Sequence, residues 1–228
     1  MTHAPTFLAH AAAVILAAGA GTRMGGPKAL LEFEGRTLVE RAVATAATGG
    51  CAQTVLVLGA AADEVRRRAG SGHGHPPASG AAADGPADGI DLDAARVVVN
   101  EGWAEGLGSS LRAGLEALAP IVEVDAALIL LVDQPLIGRR AVNAVLRAWR
   151  GGARIACAGY GAGRGHPVLL GREHWAEVAR SAAGDRGARG FLARRADELV
   201  IVPCDGLALP YDLDVPADLA AVPGRPGG

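Results

Sequence analysis

The stretch Leu16-Ala-Ala-Gly-Ala-Gly-Thr-Arg-Met-Gly-Gly-Pro-Lys28 decides how the chain is read. It follows an apolar run, residues 13–17, that is short and continuous enough for a buried strand. Glycine lets backbone N–H groups converge on an anion. Arg23 offers a planar fork for phosphate oxygens, and Lys28 a mobile point charge. A strand, a glycine turn and two cations together suggest a phosphate loop at the end of a sheet, with an ordinary turn as the alternative. Two other phosphate loops are excluded. Gly26 is followed by Pro27, where a P-loop NTPase needs Lys and then Ser or Thr, and Met24 stands where a dinucleotide fingerprint needs its third glycine. No GxSxG nucleophile elbow occurs.

Five more runs share the continuous apolar character: residues 54–58, 96–99, 126–132, 154–157 and 199–202. Unbroken rather than alternating hydrophobicity suits a parallel sheet covered on both faces. Helical periodicity lies between them. Residues 37–48 carry Leu38, Val39, Ala42 and Val43 on one stripe, 109–119 carry Leu111, Leu115 and Leu118, and 139–149 carry Val142, Val145, Leu146 and Trp149. Residues 172–183 and 188–195 repeat the pattern more weakly, and 216–222 start with Pro at the first turn. Alternating strands and helices predict an α/β fold: one domain, a three-layer α/β/α sandwich with a mostly parallel, Rossmann-like sheet. Residues 70–89 (GSGHGHPPASGAAADGPADG) have no periodicity and read as a mobile surface loop, its His73 and His75 as solvated side chains.

The composition fits one such domain. The chain has 228 residues, half of them hydrophobic, and single α/β domains reach about 250 residues. Its net charge of −2 excludes a generally basic nucleic-acid binder. Cys51, Cys157 and Cys204 are few, odd in number and far apart, which excludes a disulfide framework and a CxxC zinc site. The apolar segment 7–18 is preceded by no Lys or Arg, unlike a secretory leader, and no run approaches the ~18 apolar residues of a membrane helix. The expectation is a cytoplasmic protein with no membrane or nucleic-acid partner.

Residues 16–43, LAAGAGTRMGGPKALLEFEGRTLVERAV, resemble the nucleoside-triphosphate transferase signature LAAGxGxRMGxPKxLL. Within that superfamily the chain is most similar to the MobA-like group, and in particular to molybdenum cofactor cytidylyltransferases. Four further segments carry the likeness in the family's order: Asn100-Glu-Gly-Trp-Ala-Glu-Gly-Leu-Gly-Ser-Ser-Leu-Arg-Ala-Gly-Leu115; Leu131-Val-Asp-Gln-Pro135; Gly165-His-Pro-Val168 with Gly184-Asp-Arg-Gly-Ala188; and Asp212-Leu-Asp-Val-Pro-Ala-Asp-Leu219. The resemblance implies a single nucleotidyltransferase domain over residues 1–228, with a nucleotide-binding half at about 12–135 and an acceptor-binding half at about 136–222. It implies transfer of CMP from CTP to the phosphate of molybdopterin or its molybdenum form, with Mg²⁺ as cofactor. A molybdenum hydroxylase would receive the product.

The resemblance also implies roles. Arg23 and Lys28 would grip phosphates and stabilise developing charge, with Asp133 beside them as the third catalytic residue. Leu16, Ala17, Ala18, Gly19 and Gly21 would meet the base, ribose and phosphates through backbone groups, and Ser110 would add a nucleotide contact. The LAAG form resembles CTP-using members, whereas LAGG is typical of GTP-using ones. Asp133 and Asp214 would hold the metal, with Asp212 the next candidate. The family pattern DIDTPEDL has a threonine where Val215 stands. Asp218 reads as a helix-surface residue near the positive end of a dipole. Gln134, Pro135, His166 and Asp185 would serve the acceptor, with Arg164, Arg186 and Arg189 adding positive charge. Trp103 reads as packing rather than stacking, and Glu173 and His174 are given no role. A sugar or polyol phosphate acceptor, a GTP donor and a non-catalytic cofactor carrier remain open at this level.

Overall fold

A computed structural model of the chain describes residues 10–70, 92 and 95–223. All but the first residue of the expected loop at 70–89, including His73 and His75, lies outside these. The first apolar run forms β1 (His10–Ala17), buried along nearly its whole length. After the glycine turn, two short strands, β2 (Glu32–Phe33) and β3 (Arg36–Thr37), pair as a hairpin. Helix α1 (Leu38–Gly49) follows. Thr37 caps it reciprocally: its hydroxyl accepts from the Glu40 N–H, and the Glu40 carboxylate accepts from the Thr37 N–H. Next come β4 (Gln53–Leu58), α2 (Ala62–Gly70), β5 (Ala95–Val99), α3 (Leu107–Leu118) and β6 (Val124–Leu131). The second half contains α4 (Arg139–Arg150), β7 (Ile155–Tyr160), β8 (Gly163–Gly171), α5 (Trp175–Ser181), α6 (Arg189–Arg194), β9 (Leu199–Pro203) and α7 (Pro216–Ala220).

The main sheet has seven strands in the order β5-β4-β1-β6-β8-β7-β9. All pair parallel except β8, which runs antiparallel to β6 and β7. The expected mostly parallel α/β sandwich is therefore the observed fold. Side chains alternate across β1. Ala11, Ala13, Ile15 and Ala17 join a core under α1 and α4, while Ala12, Val14 and Leu16 join one under α3 and α5. Burial on both faces is why the run is apolar without a break.

Strand β8 departs from the sequence reading, which placed no strand there. Gly163, Gly165 and Pro167 break up the apolar signal, and only from Pro167 onward is the strand buried. The weak pattern at 172–183 resolves into a short turn, Arg172–His174, and then α5. Helix α2 had no apolar stripe to announce it, since Val65 is its one buried residue among those described. Among the described residues no helix is long and apolar enough to cross a membrane.

Candidate functional site

The parallel strands β1 and β6 lie side by side at the centre of the sheet, so the chain leaves both at the same edge. That carboxyl edge is where α/β sheets bind ligands. Beyond β1, Ala18 is buried and Gly19 is exposed. Gly21 then turns the chain with φ 60°, and its carbonyl accepts the N–H groups of Met24 and Gly26 at 2.8 and 3.2 Å. A Cβ on Gly21 would stand 1.9 Å from the Gly26 oxygen. The site therefore demands glycine for its conformation and for its closeness to the next strand of loop. Met24 and Ala29 are buried and pin the turn to the core. The residues left facing outward include Arg23, 70% exposed, and Lys28, 17% exposed.

Lys28 Nζ lies 2.7 Å from Asp133 Oδ2 and 2.7 Å from Asp214 Oδ1, and Arg23 reaches Asp214 at 3.4 Å. Four expected site residues thus form one cluster. Asp133 sits just past β6, beside Val132, whose N–H bonds the Leu16 carbonyl. Asp214 arrives from the other end of the chain. The N–H of Leu213 donates to the Asp133 carbonyl at 3.0 Å, while the fully buried Leu213 side chain anchors the segment in the core. Gln134 Nε2 donates to Asp212 Oδ1 at 2.9 Å, tying the same segment down again. Asp212, the next candidate ligand, is thereby engaged by Gln134. Burial works against the charge on Lys28, but its bonds to Asp133 and Asp214 outweigh this and hold its pKa above the ordinary value. The Lys28 hydrogen bond, with the charges of Lys28 and Arg23, holds the Asp214 carboxyl below its ordinary value.

Asp218 does more than sit near a dipole. Its carboxylate accepts the backbone N–H of Asp214 at 2.6 Å and that of Val215 at 2.8 Å. It thus fixes the backbone that carries Asp214. The sequence signal was present: an acid in the first turn after Pro216, at capping distance from the residue ahead of the helix.

Ser110 lies in the first turn of α3, whose N-cap is Gly106, and neither Ser109 nor Ser110 caps it. Both serines are buried and hydrogen-bonded to Asn100, a residue to which the sequence reading assigned no role. An Asn directly after a strand, ahead of two serines, was the available signal. Trp103 packs against Gly59, where an added Cβ would fall 2.6 Å from the Trp103 Cβ. This agrees with a packing role.

The acceptor-half residues are more dispersed. His166 Nδ1 lies 3.2 Å from the Ile129 carbonyl, across the β6–β8 ladder. Burial pushes its imidazole below the ordinary value, opposed by the Ile129 carbonyl and the charges of Asp133 and Asp212. Gln134 keeps its Oε1 buried and without a partner among the described residues, and Pro135 is half-buried beside it. Asp185 stands against the start of α3: a Cβ at Gly106 would lie 2.6 Å from its Oδ1, and one at Gly108 would lie 2.6 Å from the Ala183 N. His174 is buried against Phe191, in keeping with no role at the site. Cys51, Cys157 and Cys204 are all free.

A parallel sheet with a glycine turn bearing Arg and Lys after β1, and a carboxylate after β6, makes the chain a nucleotidyltransferase of the Rossmann-like α/β kind. It belongs to the MobA-like NTP transferase family, whose domain model matches residues 13–200. The chain is similar to nicotine blue oxidoreductase of Paenarthrobacter nicotinovorans, at 37% identity over 209 residues, 88% of this chain and 90% of that protein. Among solved structures it is similar to Rv0371c of Mycobacterium tuberculosis H37Rv, with TM-score 0.74, 27% identity, and 94% and 97% of the two chains covered. A structure of Rv0371c in complex with manganese aligns with TM-score 0.71 and 26% identity over 93% and 97% of the chains.

Proposed function

We propose that the protein transfers CMP from CTP to the phosphate of molybdopterin, or of its molybdenum form, and releases pyrophosphate. The observation that carries the transfer reading is the shared ion cluster: Lys28 bridging Asp133 and Asp214, with Arg23 alongside, at the end of β1 and β6. CTP and the pterin acceptor rest on the LAAG form and on the GHPV and GDRGA segments.

The donor set fits a divalent cation. Two hard carboxylate oxygens already converge on one positive centre, Lys28 Nζ. Among the described residues no group of three metal-binding side chains gathers. Mg²⁺ takes one or two carboxylates and completes its shell with water and substrate phosphate. Asp133 and Asp214 would hold the ion, which when bound would neutralise charge on the triphosphate.

The acceptor's phosphate oxygen forms a bond to the α-phosphorus of CTP, and the bond to the pyrophosphate oxygen breaks. Both reactants are anions, so preorganised cations are the main resource against the barrier. Lys28, its pKa held above an already basic ordinary value by Asp133 and Asp214 in spite of burial, supplies a fixed positive charge. Arg23, more exposed, supplies a second charge from the solvent side. The base and ribose lie against the backbone of Leu16, Ala17, Ala18 and Gly19, with Gly21 turning the phosphates toward the cations. His166, held neutral, offers its second ring nitrogen to the acceptor, with Gln134, Pro135 and Asp185 around it. We place the reaction in the cytoplasm, with a molybdenum hydroxylase as recipient of the product.

A second reading is favoured by one relative, nicotine blue oxidoreductase: this chain would reduce a related dye. The dinucleotide fingerprint that would support a hydride donor is missing at Met24. Pyrophosphate release from CTP, GTP, ATP and UTP, with Mg²⁺ and with molybdopterin, a sugar or polyol phosphate, or no acceptor, tests the choice. Pterin-dependent release with CTP is the expected result. Release with GTP would overturn the base assignment, and release with a sugar or polyol phosphate would overturn the acceptor. No release from any nucleotide, alongside reduction of nicotine blue, would favour the second reading, and tight cofactor binding without release a carrier.

A further inference from the structure

We infer that Asn100 is a positioning residue that holds the Ser110 hydroxyl as a proton donor toward an anionic oxygen of the bound nucleotide. The inference rests on the nucleotidyl-transfer reading above and adds to it a residue outside the ion cluster.

A backbone N–H can only donate. The Gly102 N–H lies 3.0 Å from Asn100 Oδ1, which settles which end of the amide is oxygen. The Nδ2 end therefore faces the two serines, at 2.8 Å from Ser109 Oγ and 3.1 Å from Ser110 Oγ. An amide nitrogen carries two protons and no acceptor capacity, so both hydroxyls must accept. Each serine then has one proton of its own to place. Ser109 Oγ places its proton on backbone carbonyls, with those of Gly102 and Gly106 both at 2.9 Å. Ser110 Oγ has no acceptor for its proton among the described residues, and the residue is 4% exposed.

A buried hydroxyl with an uncommitted proton is a group waiting for an acceptor. Its location decides the chemistry of that acceptor. Ser110 belongs to the first turn of a helix of 12 residues, where N–H groups are free and the dipole end is positive. The N-cap is Gly106, and no side chain caps the helix. The turn's own free backbone groups are donors, which an anionic oxygen complements, and the Asp185 carboxylate lies beside Gly106 at the edge of this turn. Asn100 itself is 8% exposed and touches the site only through the serines. Its amide also binds Ser109 and the Gly102 N–H, so the double variant with Ser110→Ala isolates the part of its effect that runs through Ser110.

Asn100→Asp tests this directly. The two side chains have the same shape, but a carboxylate accepts where the amide donated, so the Ser110 proton would turn inward. Binding of CTP and Mg²⁺ is measured by calorimetry in wild type, Asn100→Asp, Ser110→Ala and the double variant, with a thermal melt for each. Each single variant is expected to weaken CTP binding about tenfold, the scale of one hydrogen bond to a charged group, and the double variant by no more than about twice the worse single. Additive losses would overturn the inference, because a new negative charge acting at long range would not need Ser110. Unchanged binding in Asn100→Asp would overturn it as well. If Asn100→Asp fails to fold, Asn100→Ala takes its place, with the same non-additivity expected; failure of both makes Asn100 structural and overturns the inference. Absence of CTP binding in the wild type would instead overturn the transfer reading itself.

Discussion

The β1 side of the sheet and the β9 side place polar groups by different means. Around β1, parallel strands end together, and the turn after the strand is built on its own backbone. The Gly21 carbonyl closes the loop, and Arg23 and Lys28 follow from that closure. Around β8, an antiparallel strand intervenes, and the outer strand β9 leaves Val200 and Ile201 42% and 47% exposed. His166 is seated by a carbonyl on a neighbouring strand, and Asp185 by the start of a helix from the other half. The first arrangement is local in sequence and intolerant of change. The second depends on docking between distant segments. Asp214 is a hybrid, a remote residue delivered to the local cluster by backbone bonds at Leu213 and Asp218.

The largest expected effects are at the local cluster. Lys28→Ala and Asp133→Asn should each lower turnover by about 10²–10³-fold, the scale of removing one preorganised group from a charge-developing site. Both should melt within a few degrees of wild type. Steady-state pyrophosphate release beside a thermal melt reads both quantities, and a variant of normal activity would break the contrast. Asp218→Ala tests the hybrid residue. Loss of its two backbone bonds should raise the metal requirement about 10–100-fold, as removal of a ligand's support does elsewhere. Titration of activity with Mg²⁺ checks it.

Gly21→Ala sharpens the local side. A left-handed position and a Cβ at 1.9 Å from a carbonyl oxygen should cost about 1–3 kcal/mol. Denaturant unfolding measures it, and a neutral result would mean that the loop closes another way. His166 gives the smallest effect and tests the docked side. Its pKa is lowered in the folded protein. The unfolded chain therefore binds the proton more readily, so this contribution to stability is present above the ordinary His value of ~6.5 and lost as pH falls below it. Wild type should lose stability over that window more steeply than His166→Gln. Parallel curves would show that the imidazole is not held neutral.

The same contrast explains what the sequence revealed. Six strands were legible because burial on both faces leaves unbroken apolar runs. Strand β8 was not, because Gly163, Gly165 and Pro167 mask a strand whose partners are supplied by β6 and β7. Lys28 and Arg23 were legible from a local pattern of glycines and cations. The meeting of Asp133 with Asp214 was expected from family likeness alone, because it depends on ties between segments distant in the chain, Leu213 to Asp133 and Gln134 to Asp212. Asn100 stood in a quoted family segment but received no role, because its meaning lies in which atoms of Ser109, Ser110 and Gly102 it faces.

Transfer from CTP labelled at the α-phosphorus tests the central claim most directly. Wild type, incubated with Mg²⁺ and molybdopterin, should move the label into a pterin product as unlabelled pyrophosphate appears, and Lys28→Ala should move almost none. Label that stays in CTP with wild type, or moves equally well with Lys28→Ala, would contradict the account.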